Sequence, residues 1–209
     1  MEWTVYMRTD AQRNRSAVLE AAGTVFAERG LDVSLNEIAR RAGVGNATLY
    51  RHFPTREALV AEVFARQMQD YLTAAEGAAV ADDPLVAFRG FVTATCELQA
   101  ASRALADLLV SLQPVSPEVD EMRDRHYEVI SRVIQRAVDS GVVRADLRPS
   151  DIAVLLMANA GLIRRTADDA PGASARLVAV WLAGATRPDS AAGPPAPAEE
   201  DIAQALLRG

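Results

Sequence analysis

Six residues between positions 46 and 52 carry the chemistry of this chain: Asn46, Ala47, Thr48, Tyr50, Arg51 and His52. They are small, hydroxylic, aromatic and basic, a set suited to base edges and phosphates. Asn pairs bidentately with adenine and Arg with guanine, and Ala can meet a thymine methyl. Gly45 precedes them and lets backbone approach a surface closely. Leu49 and Phe53, four apart, give a short helix its inward side. An ordinary surface helix would explain those two apolar positions. It would not explain why every remaining residue is a potential DNA contact.

The flanking residues are the ones needed to hold such a helix. Ser34 and Glu37 have the spacing of a capping box, which predicts a helix from Leu35. Leu35, Ile38, Ala39 and Ala42 give that helix one apolar face. Gly43 ends it in a tight turn, and Val44 can plug the gap between the two helices. Gly45 or Asn46 caps the second helix, Pro54 stops it, and Thr55 caps the next. Ser34, Thr55 and Arg56 stand at helix starts, where anions are favoured, and are further phosphate candidates. An earlier helix is expected from about Asp10 to Arg29, with Val18, Leu19, Ala22, Val25 and Phe26 as its stripe and Gly30 as its stop. Residues 1–9 show no clear pattern.

The run IARRAGVGNATLYRHFPTREALV, preceded by VLEAAGTVFAERGLDVSLNEIA, closely resembles the TetR family of bacterial transcriptional regulators. The resemblance covers about residues 10–64 and involves an ordered series of helix, turn and cap residues. It implies an all-α protein with an N-terminal three-helix helix-turn-helix head and a C-terminal helical bundle for ligand and dimerisation. The expected division is 8–55 for the head, 56–186 for the bundle and 187–209 for a Pro/Ala-rich tail. The resemblance also implies that Thr48, Tyr50 and His52 touch phosphates, while Gly45, Asn46, Ala47 and Arg51 sit where members differ and bases are read. Arg56 stands where the family frequently has Lys, and keeps the charge.

The net charge of −6 looks wrong for a DNA binder until it is divided. Residues 1–60 hold eight Arg and seven acidic groups, and residues 61–209 hold fourteen Arg and twenty-one acidic groups, so +1 and −7 make up the total. A local patch must supply DNA affinity. The chain has no Lys, so every cationic contact falls to Arg and favours bidentate geometry. No apolar run reaches 18 residues and no secretory leader is visible, which predicts a soluble, cytoplasmic protein without a membrane partner. Cys96 stands alone, so no intrachain disulfide is expected.

Beyond Thr55 the pattern stays helical. A long helix runs to about Ala79 and links head to bundle. Others start at Asp83-Pro84, at about Arg103 (to Leu112), at Ser116-Pro117-Glu118 and at Pro149-Ser150-Asp151, and another spans Ala173–Ala185. Glu199–Arg208 can form a short terminal helix. Residues 152–163 are apolar nearly all round, and Leu177, Val178, Trp181 and Leu182 cover two faces of their helix. Burying both calls for a homodimer through about 150–166 and 173–185, which is also how the resembled family dimerises. That family encloses an effector among the C-terminal helices. The lining candidates here are Phe88, Phe91, Thr95, Cys96, Leu108, Leu112, Tyr127, Ile130, Ile134 and Asn159, many of which would serve equally as core. No charged residue is obviously aimed inward, so a small, largely apolar molecule is expected.

Catalytic residues are not expected. Of two His, His52 belongs to the DNA helix, and His126 lies among Arg123, Asp124, Arg125 and Glu128 on what reads as a solvated face. Cys96 and His126 lack metal-ligand spacing, and no nucleophile elbow or phosphate loop is present. No metal and no cofactor are expected. The reading is a repressor that binds double-stranded DNA at a palindromic operator and is released by its effector. Two alternatives stand: a helical enzyme with a helix-turn-helix-like end, and a regulator controlled by a protein partner.

Overall fold

The computed structural model describes residues 2–110, 117–166, 169–187 and 193–208. Ten helices and no strand occur among them. They are α1 (Glu2–Arg29), α2 (Leu35–Arg41), α3 (Asn46–His52), α4 (Arg56–Ala79), α5 (Pro84–Ala101), α6 (Arg103–Leu109), α7 (Pro117–Asp139), α8 (Pro149–Thr166), α9 (Ala173–Ala185) and α10 (Glu199–Arg208). The all-α expectation holds. Helix α1 begins eight residues before the expected Asp10, because helix continues backwards through a segment with neither a cap nor an apolar stripe to mark its start.

Helix ends fall where local chemistry places them. The Asp83 carboxylate accepts from the Leu85 and Val86 amides at 2.8 and 3.2 Å, and Pro84 occupies the first turn of α5. The Ser102 hydroxyl caps α6 by accepting from the Leu105 amide at 3.3 Å. Gly30, Gly43 and Gly141 have φ of 78°, 69° and 66°. Each follows a helix in the left-handed region, where a side chain would be strained.

Helices α1, α2 and α3 pack on one another, and α1 also contacts α4. Val18, Ala22, Val25, Phe26, Ile38, Leu49, Phe53, Leu59 and Phe64 form a buried cluster there, with Phe26 and Phe64 stacked at 5.9 Å. In the second half α5 is central and touches α4, α6, α7, α8 and α9. Helix α6 packs on α1 as well as on α5 and α8, so the head meets the bundle at α6 besides its covalent link through α4. Arg164 on α8 reaches Asp107 on α6 at 2.8 Å, strengthening that corner. No described helix is long and apolar enough to cross a membrane.

Candidate nucleic-acid interface and effector cavity

The turn between α2 and α3 is closed by backbone. The Val44 amide donates to the Ala39 carbonyl at 3.0 Å and Gly43 to Arg40 at 3.2 Å, while Val44 packs on the core. Gly45 is the N-cap of α3 with extended φ, ψ of −72° and 149° and offers no side-chain cap. The first amides of α3 therefore keep part of the donor capacity that a capping side chain would take up. Leu49 and Phe53 are buried, so α3 has one fixed inner side. Gly45, Asn46, Ala47, Tyr50 and Arg51 are exposed on its other side, with Tyr50 showing 47% of its surface. Thr48 is half-buried.

Several candidate residues carry structural duties. The Ser34 hydroxyl accepts from the Glu37 amide at 3.3 Å, which is half of the expected capping box. The other half is diverted, since the Glu37 carboxylate pairs with Arg29 of α1 instead of turning back to its own helix start. The Thr55 hydroxyl caps α4 through the Ala58 amide at 3.1 Å. Arg56 donates to the Val33 carbonyl at 2.5 Å and is half-buried, so it braces the α1–α2 connection. His52 was expected on the open side but is half-buried against Phe53, at 6.5 Å between ring centroids, with Nε2 enclosed. Helical spacing explains this: His52 lies three residues after the buried Leu49 and so shares its side of α3. Arg15 lies over the other aromatic neighbour, 5.3 Å from the Phe53 centroid, and pairs with Glu62.

In the bundle, the lining candidates divide. Phe88, Phe91, Thr95, Cys96, Leu108 and Ile134 are fully buried core. Phe88 packs on Trp181 at 6.2 Å, and the Thr95 hydroxyl donates to the Phe91 carbonyl one turn back at 2.9 Å. Burial pushes the Cys96 thiol up to about 12, with Glu97 adding to the effect, so it is an inert thiol. Asn159 donates to Gln99 at 2.9 Å, and Gln99 donates to the Leu156 carbonyl at 3.2 Å, a polar clamp between α5 and α8. Leu112 lies outside the described residues.

Tyr127 and Ile130 line a cavity of about 140 Å³ between α6, α7, α8 and α10. Leu109, Val110, Leu156, Ile202 and Leu206 make most of its apolar wall, and Arg123, His126 and Glu199 are on it too. The Tyr127 hydroxyl donates to the Glu199 carboxylate at 2.5 Å and holds the start of α10 to α7. His126 is not on a solvated face. It is 6% exposed, stacked on Phe91 at 5.9 Å, and burial lowers its pKa from 6.5 to about 4. A second groove of about 320 Å³, between the 194–196 segment and the α8–α9 corner, contains the Arg144–Asp146 ion pair at 2.6 Å. Among the described residues no three His, Cys, Asp or Glu side chains gather as metal ligands.

Residues 18–63 match the family described as bacterial regulatory proteins, tetR family, and residues 83–187 match the SbtR-like transcriptional regulator C-terminal domain. A TetR transcription regulatory protein from Mycobacterium vanbaalenii is 35% identical, over 78% of this chain and 97% of that one, with a TM-score of 0.47. The chain belongs to the TetR family. An HTH-type transcriptional regulator of Staphylococcus aureus (strain USA300) is 40% identical over 68 residues, which are 32% of this chain and only 37% of that relative. The ketosteroid regulator KstR2 of Mycobacterium tuberculosis shares the fold at a TM-score of 0.64 and 22% identity, over 83% of this chain and 95% of that one. The matched families and these relatives are regulators, not enzymes, and the helical-enzyme alternative falls away.

Three residues have roles that the sequence does not announce, one in the head and two in the bundle. Arg40 is exposed on the outer side of α2 and has no ion pair among the described residues, whereas Arg41 is taken by Glu28 at 3.0 Å. Its position opposite Ile38 and Ala42 was the available signal. Gln99 and Arg123 were missed in the bundle, because a polar residue inside a helical stripe reads as surface until its neighbours are known. Helix α10 lies beyond both matched segments.

Proposed function

We propose that this TetR-family regulator acts in the cytoplasm as a homodimeric repressor that binds a palindromic operator. A small, largely apolar effector would release it. The observation that carries the DNA reading is α3 itself: Leu49 and Phe53 anchor one side while Asn46, Ala47, Tyr50 and Arg51 stand exposed on the other. Asn46 and Arg51 have the side chains for base reading, with Gly45 and Ala47 allowing close approach. Thr48 and Tyr50 supply phosphate contacts, joined by Arg40. Ser34, Thr55, Arg56 and His52 hold the head in shape, and any phosphate contact they add is secondary.

Dimerisation is supported by an outward apolar surface on α8 and α9. Val154 and Val180 are 41% and 54% exposed, and Ala158, Ala183 and Gly184 beside them are exposed too. Small side chains of this kind let helices of two copies approach closely. An isologous pair would place two α3 helices for two half-sites about one DNA turn apart. The effector reading is supported by the cavity at α6, α7, α8 and α10. Leu109 and Val110 belong to that wall, and α6 packs on α1 of the head. An occupant that moves α6 would change head spacing and so DNA affinity.

The units that follow are a head over 8–55, a bundle over 56–186 and a tail over 187–209, whose α10 closes the cavity. Gel shifts at fixed salt, with DNA from around the protein's own gene and with random DNA, test the reading. Selective retention of a fragment containing an inverted repeat is expected. Equal binding to all DNA overturns it.

A further inference from the structure

The cavity beneath α10 has a volume and a charge distribution that together narrow its occupant. At about 140 Å³ it is close to the engineered cavity of about 150 Å³ that admits benzene. It is well below the usual ~300–1,000 Å³ of ligand pockets, so one ring with a small substituent fills it. Ile130, Leu156 and Leu206 give apolar contact from α7, α8 and α10. The charged groups on the wall are already paired within the chain. Arg123 meets the Asp120 carboxylate at 2.8 Å, and the Glu199 carboxylate accepts a hydrogen bond from the Tyr127 hydroxyl. His126 is buried against Phe91 and is held neutral there, its pKa lowered to about 4. An anion entering would face Glu199 and a cation would face Arg123. Neither would find a counter-charge to offset its lost hydration.

We propose that this cavity binds a neutral one-ring hydrocarbon of benzene-to-toluene size, its ring held between Ile130, Leu156 and Leu206. Such a molecule leaves water for a largely apolar space and breaks no existing ion pair. A polar or charged substituent would have to be desolvated, and it would meet only groups that already have partners. Leu206 belongs to α10, which lies beyond both matched family segments, so the upper limit on ligand size is set by the tail of this chain. The inference rests on the reading of the C-terminal bundle as an effector domain and names the class of molecule that domain takes.

Toluene and its anionic counterpart benzoate, titrated into the full chain by calorimetry and by thermal shift, provide the test. Toluene should bind, and benzoate should bind at least tenfold more weakly. Leu206→Trp fills the cavity from the half-buried side of α10 and should abolish toluene binding. Leu206→Ala widens it and should raise the affinity for naphthalene relative to toluene at least threefold, a gain that a misfolded variant cannot mimic. Four results each overturn the inference: no toluene binding up to its solubility limit, benzoate binding within tenfold of toluene, undiminished toluene binding in Leu206→Trp, or a naphthalene gain below threefold in Leu206→Ala. Operator binding measured on the same wild-type sample separates the two claims. A protein that holds its operator but ignores toluene loses only this inference, whereas one that fails to hold any operator loses the proposed function.

Discussion

His126 makes the fold sensitive to acid by an amount that the structure sets. The imidazole is buried on α7 against Phe91, and burial lowers its pKa from 6.5 to about 4. In the unfolded chain it titrates near 6.5, so between these values the unfolded state binds a proton that the folded state refuses. The stabilising preference for neutral His126 is whole above pH 6.5 and is lost as pH falls toward 4. At pH 5.5 the loss is about 1 kcal/mol, at pH 5 about 2 kcal/mol, and the full interval corresponds to about 3 kcal/mol. Against the ~5–15 kcal/mol total of a typical domain this is a large share. Carboxylates elsewhere also titrate as pH falls, so the comparison must be with His126→Phe, which keeps a ring against Phe91 and cannot protonate. Urea denaturation of both proteins at half-unit steps from pH 7.5 to 5 measures it. The wild type should lose stability relative to the variant with a slope approaching 1.4 kcal/mol per pH unit below 6.5. Parallel curves for the two proteins would refute the buried, neutral histidine.

Three further outcomes follow from the geometry. Arg51→Ala and Asn46→Ala should each relax preference at one base pair by about 1–3 kcal/mol, whereas Tyr50→Phe should weaken binding to every sequence alike, as competition gel shifts would show. Val180→Glu puts a charge on the exposed apolar side of α9 and should yield monomers by light scattering. The half-buried Trp181, packed on Phe88, is the poorer probe because its loss would also disturb the core. Arg56→Met removes the bond to the Val33 carbonyl and should cost the head about 1.5–3 kcal/mol, read as a lowered urea midpoint with α3 contacts otherwise intact.

Much of the head could be read from sequence because its determinants are local. Gly43 takes the left-handed conformation that the turn needs, and Ser34, Thr55 and Asp83 cap the helices they precede. The errors came from interactions that span elements. Glu37 has capping-box spacing, but Arg29 of α1 claims its carboxylate. Arg56 looks like a phosphate ligand until Val33 is folded against it. His126 was misjudged by its charged sequence neighbours. It continues the stripe of Met122, Val129, Ile130 and Val133 at helical spacing, and that periodicity was the better guide. A terminal helix at Glu199–Arg208 was legible, but its docking over the cavity was not. That depends on the path of the tail and on Tyr127 meeting Glu199. The lining candidates divided for the same reason: Tyr127 and Ile130 border the cavity while Phe88, Phe91 and Leu108 are core, and apolar residues of core and cavity look alike until neighbouring helices are placed.

The central claim is that α3 reads DNA sequence. Its most direct measurement is the ratio of two dissociation constants at one salt concentration: for the best site recovered from a random DNA pool, and for the same duplex scrambled. The account predicts an inverted repeat bound at least about a thousandfold more tightly than its scrambled form by the wild type. It also predicts that Arg51→Ala reduces that ratio more than it reduces affinity for the scrambled duplex. A ratio near one, or a ratio unchanged by Arg51→Ala and Asn46→Ala together, would contradict it.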